Sequence, residues 1–268
     1  MTESIFEDTM AKMNWKEIEE PVRQNALVLF PTGVIEEHGP HLSLAVDTLC
    51  SYTLSKQIKN ELEKLNIYSI ISPPYYWGIN NATGGFPGSF TVRKETLRNI
   101  ITDILLSLHR WGFKNIFIVN WHGDKEHIIS ITDGIRNAWI NFGVKAFIIL
   151  TEFEIERLKL SQKEPFILSI REENVEKNYV DIHAGPDEVS IILNYYPDHV
   201  NQKIAETLKP TNLTKKDIII WNRGWSDTRT LIPEGYFGNP NDFSKENGKA
   251  IIEKKSKLIA EIINNFLK

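Results

Sequence analysis

Cysteine is nearly missing from this chain. Cys50 is the only one, which excludes an internal disulfide framework and any cysteine-based zinc finger, and fits a reducing compartment. An excess of one charge is missing as well: 31 Lys and Arg face 35 Asp and Glu, a formal net charge of −4, with no long run of either sign. Such a chain has no electrostatic reason to seek a phosphate backbone, so nucleic acid is not expected as a partner. No segment approaches the about 18–20 apolar residues of a membrane span. The opening MTESIFEDTMAKMNW is acidic and lacks the apolar stretch of a secretory signal. Repeats, low-complexity tracts and long linkers are also lacking. The expectation is a cytoplasmic protein in which residues 1–268 form one domain, with a core that needs no staples.

What is there is an alternation of strand-like and helix-like segments. Apolar runs at Ala26–Phe30, Ile67–Ile71, Asn115–Val119 and Ala146–Leu150 lack the polar alternation of a half-exposed strand, so they predict strands buried on both faces. Between them, Asp47–Leu65, Lys94–Trp111 and Glu126–Phe142 carry apolar residues at helical spacing, and Gly112 and Gly143 stand where helices end. This β-α-β-α-β order predicts a mostly parallel sheet covered by helices on both faces. After residue 150 the pattern is less regular: helices are expected at Pro186–Tyr195 and Gly248–Leu267, and a short strand at Ile218–Ile220.

In such sheets ligands gather at loops following the carboxyl ends of strands. The loop after the first strand holds Glu36, Glu37, His38, His41 and Asp47; the one after the third holds Asn120, His122 and Asp124. A later segment, DIHAGPDEVS, supplies Asp181, His183, Asp187 and Glu188. Imidazole and carboxylate together suit a divalent cation, and a carboxylate can bridge two of them. Taken singly, each of these residues is more often a solvated or hydrogen-bonded group than a ligand. Three acid-and-histidine clusters, two of them directly after expected strands, favour a shared site. Glu-x-His alone is a common pattern, and no HExxH segment accompanies it.

The motifs themselves resemble those of the creatininase (creatinine amidohydrolase) family. GVIEEHGPHLSLAVD resembles its G-x-x-E-x-H-G-P-H-L-P-x-x-x-D signature, and HAGPDEVS its H-A-G-x-x-E-T-S segment. GGFPGSF, NWHGD and GYFGNP resemble its F-P-G-T, N-x-H and G-x-x-G-x-P stretches, in order, over about residues 25–250. The resemblance implies a three-layer α/β/α sandwich with a parallel central sheet, a homo-oligomer (hexamers in relatives), and two divalent ions per subunit, zinc, manganese or iron. It implies Glu36 and His122 on one metal, His38 on the other, Asp47 bridging, and Asp124 as a second-metal carboxylate. His183 would serve as acid/base over the scissile bond, with Glu188 in or beside the metal shell. The chain departs from the family pattern in Asp124, where many relatives read H-G-G-N, in Ser43, in Thr83 where many carry His, and in Tyr179 where creatinine hydrolases carry a covering Trp. Thr83 and Tyr179, with Trp121 beside His122, are therefore expected to shape substrate recognition.

Other features are weighed against plainer roles. Trp77, Trp121, Trp221 and Trp225 lie in loops or element ends and could wall a flat substrate, whereas Trp111 and Trp139 read as core. The glycines of Thr83–Ser89 could approach an oxyanion or merely turn the chain. Cys50 and Ser190 lack the setting of a nucleophile, and no G-x-G-x-x-G follows the first strand. The leading expectation is hydrolysis of a C–N bond in a small cyclic or N-formyl amide by a metal-activated water. The alternatives are C–C hydrolysis of a keto-inositol or keto-sugar diketone, and a non-catalytic metal- or ligand-binding protein.

Overall fold

The computed structural model describes residues 4–161, 163–171 and 179–268. The elements run α1 (Trp15–Arg23), β1 (Leu27–Thr32), α2 (Val46–Lys64), β2 (Ser69–Ile71), α3 (Lys94–Trp111), β3 (Ile116–Asn120) and α4 (Lys125–Phe142). They continue β4 (Ala146–Thr151), α5 (Glu152–Leu158), β5 (Ile167–Ile170), α6 (Pro186–Tyr195), α7 (Gln202–Ala205), α8 (Ile218–Trp221), α9 (Trp225–Leu231) and α10 (Lys245–Leu267). The five strands among the described residues are all parallel, in the order β2-β1-β3-β4-β5. Helices α2, α6 and α10 pack together on one side, and α3 with α4 on the other, giving the expected three layers.

The order reverses between β1 and β3. Connections leaving these adjacent strands run to opposite faces and open a crevice at their carboxyl ends. The core beneath is apolar. Phe117 and Phe147 stack with ring centroids 5.3 Å apart, and Trp139 meets Phe147 edge-on at 5.5 Å. Each fully buried ring of this size contributes about 1.5–3 kcal/mol by leaving water. Among the described residues no helix is long and apolar enough to cross a membrane.

Three expectations change. β1 runs on through Pro31 and Thr32, although proline cannot donate to a ladder. Pro31 accepts a hydrogen bond from the Tyr75 N–H through its carbonyl; its imide nitrogen faces that same side, past the last residue of β2. Ile218–Ile220 forms a helical turn rather than a strand. Its isoleucines are partly exposed, with Ile219 at 65%, and they pair with no strand among the described residues. Trp111 is not core: it ends α3 and is 55% exposed. Trp139 is packed against the core as read.

Candidate metal centre

The loop that leaves β1 returns at once to the start of α2. A Cβ on Gly33 would lie 2.7 Å from the Asp47 carbonyl carbon, so only glycine permits this approach. The result sets Asp47, in the first turn of α2, beside the loop that carries Glu36 and His38. His122 arrives from the end of β3, and His183 and Glu188 from the start of α6. All but Glu188 are buried.

Among the described residues three donor groups converge, each with its ligand atoms within 4.8 Å of one another: Glu36, Asp47 and His122; His38, Asp47 and Glu188; Glu36, His38 and His183. Asp47 belongs to the first two. Its Oδ2 lies 3.0 Å from His122 Nδ1, and its Oδ1 lies 3.8 Å from His38 Nε2. Glu36 Oε1 is 3.2 Å from His122 Nδ1, and Glu188 Oε2 is 3.9 Å from His38 Nε2.

The protonation pattern suits a cation. His122 spends Nε2–H on the Ile79 carbonyl at 3.0 Å, leaving Nδ1 facing the two acids. His38 points Nδ1 at the Glu36 carbonyl at 3.2 Å, leaving Nε2 inward. His38 Nε2 and Asp47 Oδ2 are buried without a hydrogen-bond partner. Orphaned polar atoms of this kind are costly unless a ligand satisfies them. Burial opposes a charge on His122, yet Glu36 and Asp47 push its pKa well above the usual imidazole value. Burial likewise opposes ionisation of Glu36, but His122 and His183 hold its carboxyl well below the usual range. Burial pushes the Glu188 carboxyl up, with His38 opposing and Asp47 adding. The buried acids demand positive charge at the points where their lone pairs meet. Zinc, manganese or iron(II) would meet that demand with this nitrogen and oxygen set.

His183 donates Nε2–H to the Glu37 carbonyl at 2.8 Å and turns Nδ1 toward Glu36 Oε1, 3.8 Å away. Burial lowers its pKa, but Glu36, then Glu37 and Glu188, raise it to about 10. Its ring lies 5.4 Å from that of Trp221. A cavity of about 980 Å³ opens above these groups, lined by Trp121 and Trp221 as well as by Glu36, His122, His183 and Glu188.

Of the other expected site residues, Asp124 and Trp121 border the cavity, and Thr83 and Tyr179 do not. Asp124 caps α4: Oδ1 accepts from the N–H groups of Glu126 and His127, and Oδ2 from those of Asn81 and Ala82. It joins none of the donor groups found among the described residues, although it borders the cavity. Thr83 is buried and donates its hydroxyl to Glu36 Oε2, so it braces a candidate ligand instead of lining the cavity. Tyr179 donates to Asp242 Oδ2 at 2.8 Å and also does not line the cavity. Trp121 does line it, with Lys255 Nζ 5.5 Å from its ring centre. Trp77 is 42% exposed, away from the cavity. Cys50 is buried, and burial pushes its thiol pKa well up, which leaves it inert.

Sequence reasoning gave no role to two buried groups. Glu37 supplies the carbonyl that orients His183 and places Oε1 3.3 Å from the same nitrogen. His127, inside α4, contacts the His122 ring at 5.0 Å between centroids. A single histidine on a helix gives no linear signal of such a contact.

Comparison with known proteins supports the family and the fold. The family model described as creatininase, creatinine amidohydrolase, matches residues 11–263. A creatinine amidohydrolase from Pseudomonas putida is 26% identical over 274 residues, covering 98% of this chain and 97% of that protein. A 3-dehydro-scyllo-inosose hydrolase from Thermotoga maritima is 24% identical, covering 95% of this chain and 83% of the relative. A mutant creatininase structure of Zn-Zn type superposes with a TM-score of 0.71 at 20% identity, covering 98% of each chain. A creatininase structure described by manganese gives 0.70 at 20% identity, covering 96% of this chain and 98% of the other.

Proposed function

Since the chain belongs to the creatininase family of hydrolases, we propose that it cleaves a C–N bond in a small cyclic or N-formyl amide at a two-cation centre. Glu36, Asp47 and His122 would hold one ion, and His38, Asp47 and Glu188 the other. The observation that carries this reading is Asp47, which offers one oxygen toward each histidine. Zinc and manganese, named in the related structures, are the ions of choice. When bound, such ions polarise a carbonyl and make water a nucleophile near neutral pH.

The remaining work falls to side chains. Glu36, Asp47 and Glu188 supply the negative charge that retains the cations. His183, anchored through Nε2–H on the Glu37 carbonyl, presents Nδ1 toward the site. There Nδ1, kept protonated near neutral pH by the surrounding carboxylates, can give its proton to the departing nitrogen. Trp121 and Trp221 give the cavity apolar walls suited to a flat ring.

A second reading keeps the site and changes the bond. The Thermotoga maritima relative named 3-dehydro-scyllo-inosose hydrolase supports C–C cleavage of a cyclic diketone by the same groups. Both are tested by one screen, in which cyclic amides, N-formyl amides and cyclic diketones are offered to the protein before chelation, after chelation, and after zinc or manganese is restored. The expected result is amide turnover that chelation abolishes and metal restores. Turnover of diketones alone selects the second reading, and full activity in metal-free protein contradicts both.

A further inference from the structure

Behind His122 stands His127, fully buried in the first turn of α4. It belongs to none of the donor groups and does not line the cavity. Both of its nitrogens are nevertheless used. The Ile79 N–H donates to Nδ1 at 3.3 Å, so the ring proton resides on Nε2. Nε2–H donates to Asn120 Oδ1 at 3.2 Å, an oxygen that also accepts the Thr32 hydroxyl at 3.1 Å. With its oxygen so engaged, Asn120 turns its amide nitrogen to the His122 carbonyl, donating at 2.7 Å. His122 closes the circuit by donating Nε2–H to the Ile79 carbonyl at 3.0 Å.

The hydrogen bonds thus run one way round a ring, from the His122 imidazole to Ile79, from Ile79 to His127, from His127 to Asn120, and back to the His122 main chain. Reversing the His127 tautomer would break it at two places. Gly78 makes room for the ring: a Cβ there would lie 2.4 Å from His127 Nδ1.

We propose that His127 is a positioning residue whose two hydrogen bonds lock His122 with Nε2 protonated and Nδ1 aimed between Glu36 and Asp47. The proposal rests on the assignment of His122 as a metal ligand. Without the acceptor on His127, the buried Ile79 N–H loses its partner, and the carbonyl that orients His122 loses its anchor. Partners of this kind typically change metal affinity by about 10–100-fold.

Co(II) serves as the probe, added to the metal-free full-length protein against a competing chelator. His127→Phe keeps a flat ring and removes both bonds; His127→Asn keeps an acceptor near Nδ1, and His127→Gln a donor near Nε2. The Phe variant is expected to bind Co(II) about 10–100-fold more weakly with a shifted visible absorption band, and the Asn and Gln variants to recover part of the loss. A mere packing defect would lower the melting temperature while leaving the Co(II) band in place. Unchanged affinity and band in all three variants overturn the proposal. Selective ¹⁵N-histidine NMR of the wild-type protein decides the matter even where a variant fails to fold. Nε2 protonated and Nδ1 bare is expected for His127, and the opposite tautomer overturns the proposal. A wild-type protein that binds no Co(II) would sink the metal assignment instead, and leave the tautomer to judge the ring.

Discussion

Asp47→Asn is expected to empty both cation positions and abolish turnover while the fold is retained. The substitution preserves shape but removes the charge that both donor groups share. At about 4 Å and an effective dielectric near 20, one unit charge contributes about 4 kcal/mol, or about 10³-fold in affinity for each ion. Because Oδ1 and Oδ2 face different histidines, the loss falls on both positions at once. Changes at single-position ligands should be separable from it. His122→Ala strips one position, and Glu188→Gln weakens only the one shared with His38. Elemental analysis after dialysis against limiting metal distinguishes these outcomes, and an Asp47→Asn protein that keeps two ions contradicts the bridging role.

His183→Asn is expected to give the opposite signature: full metal content with kcat lowered about 10²–10⁴-fold, the usual range for a lost general acid or base. The geometry behind this is the division of labour on one ring. Nε2–H is committed to the Glu37 carbonyl, whereas Nδ1 faces the cavity side of Glu36. His183 also lies within ligand distance of Glu36 and His38. Metal loss on substitution would therefore move His183 from proton transfer to coordination. Measuring metal content and kcat on the same preparation keeps the two roles apart.

Much of this arrangement is written locally in the chain. The apolar runs Ala26–Phe30, Asn115–Val119 and Ala146–Leu150 announce the cores of β1, β3 and β4, and periodic stripes announce the helices between them. Because the sheet is parallel, strand ends point the loops to one edge, which brings the Glu36–Asp47 loop to the His122 loop; the choice of Glu36, His38, Asp47 and His122 within them comes from the family resemblance. Less legible are the elements whose reason is tertiary. β5 is only ILSI, with one residue exposed, and finds its place by pairing with β4. α1 reads as a charged segment interrupted by Pro21, yet an Asn14–Glu17 capping box starts it.

Asp124 carries a different lesson. Its position before Lys125-Glu126-His127 is that of a helix cap, a role the sequence signals through an Asp preceding a helical stripe. Four backbone N–H groups occupy its oxygens, so its carboxylate is already satisfied where a ligand's would be open. Glu188 takes the place near His38 instead. Thr83, His127 and Glu37 act across long sequence separations, through contacts that no local pattern encodes.

Sharing of Asp47 by two cations is tested most directly by loading the metal-free protein with Mn(II) and recording the electron paramagnetic resonance spectrum at known stoichiometry. Two ions per chain with exchange-coupled lines are predicted. One ion per chain with an isolated six-line signal, or two ions that remain magnetically independent, would contradict it.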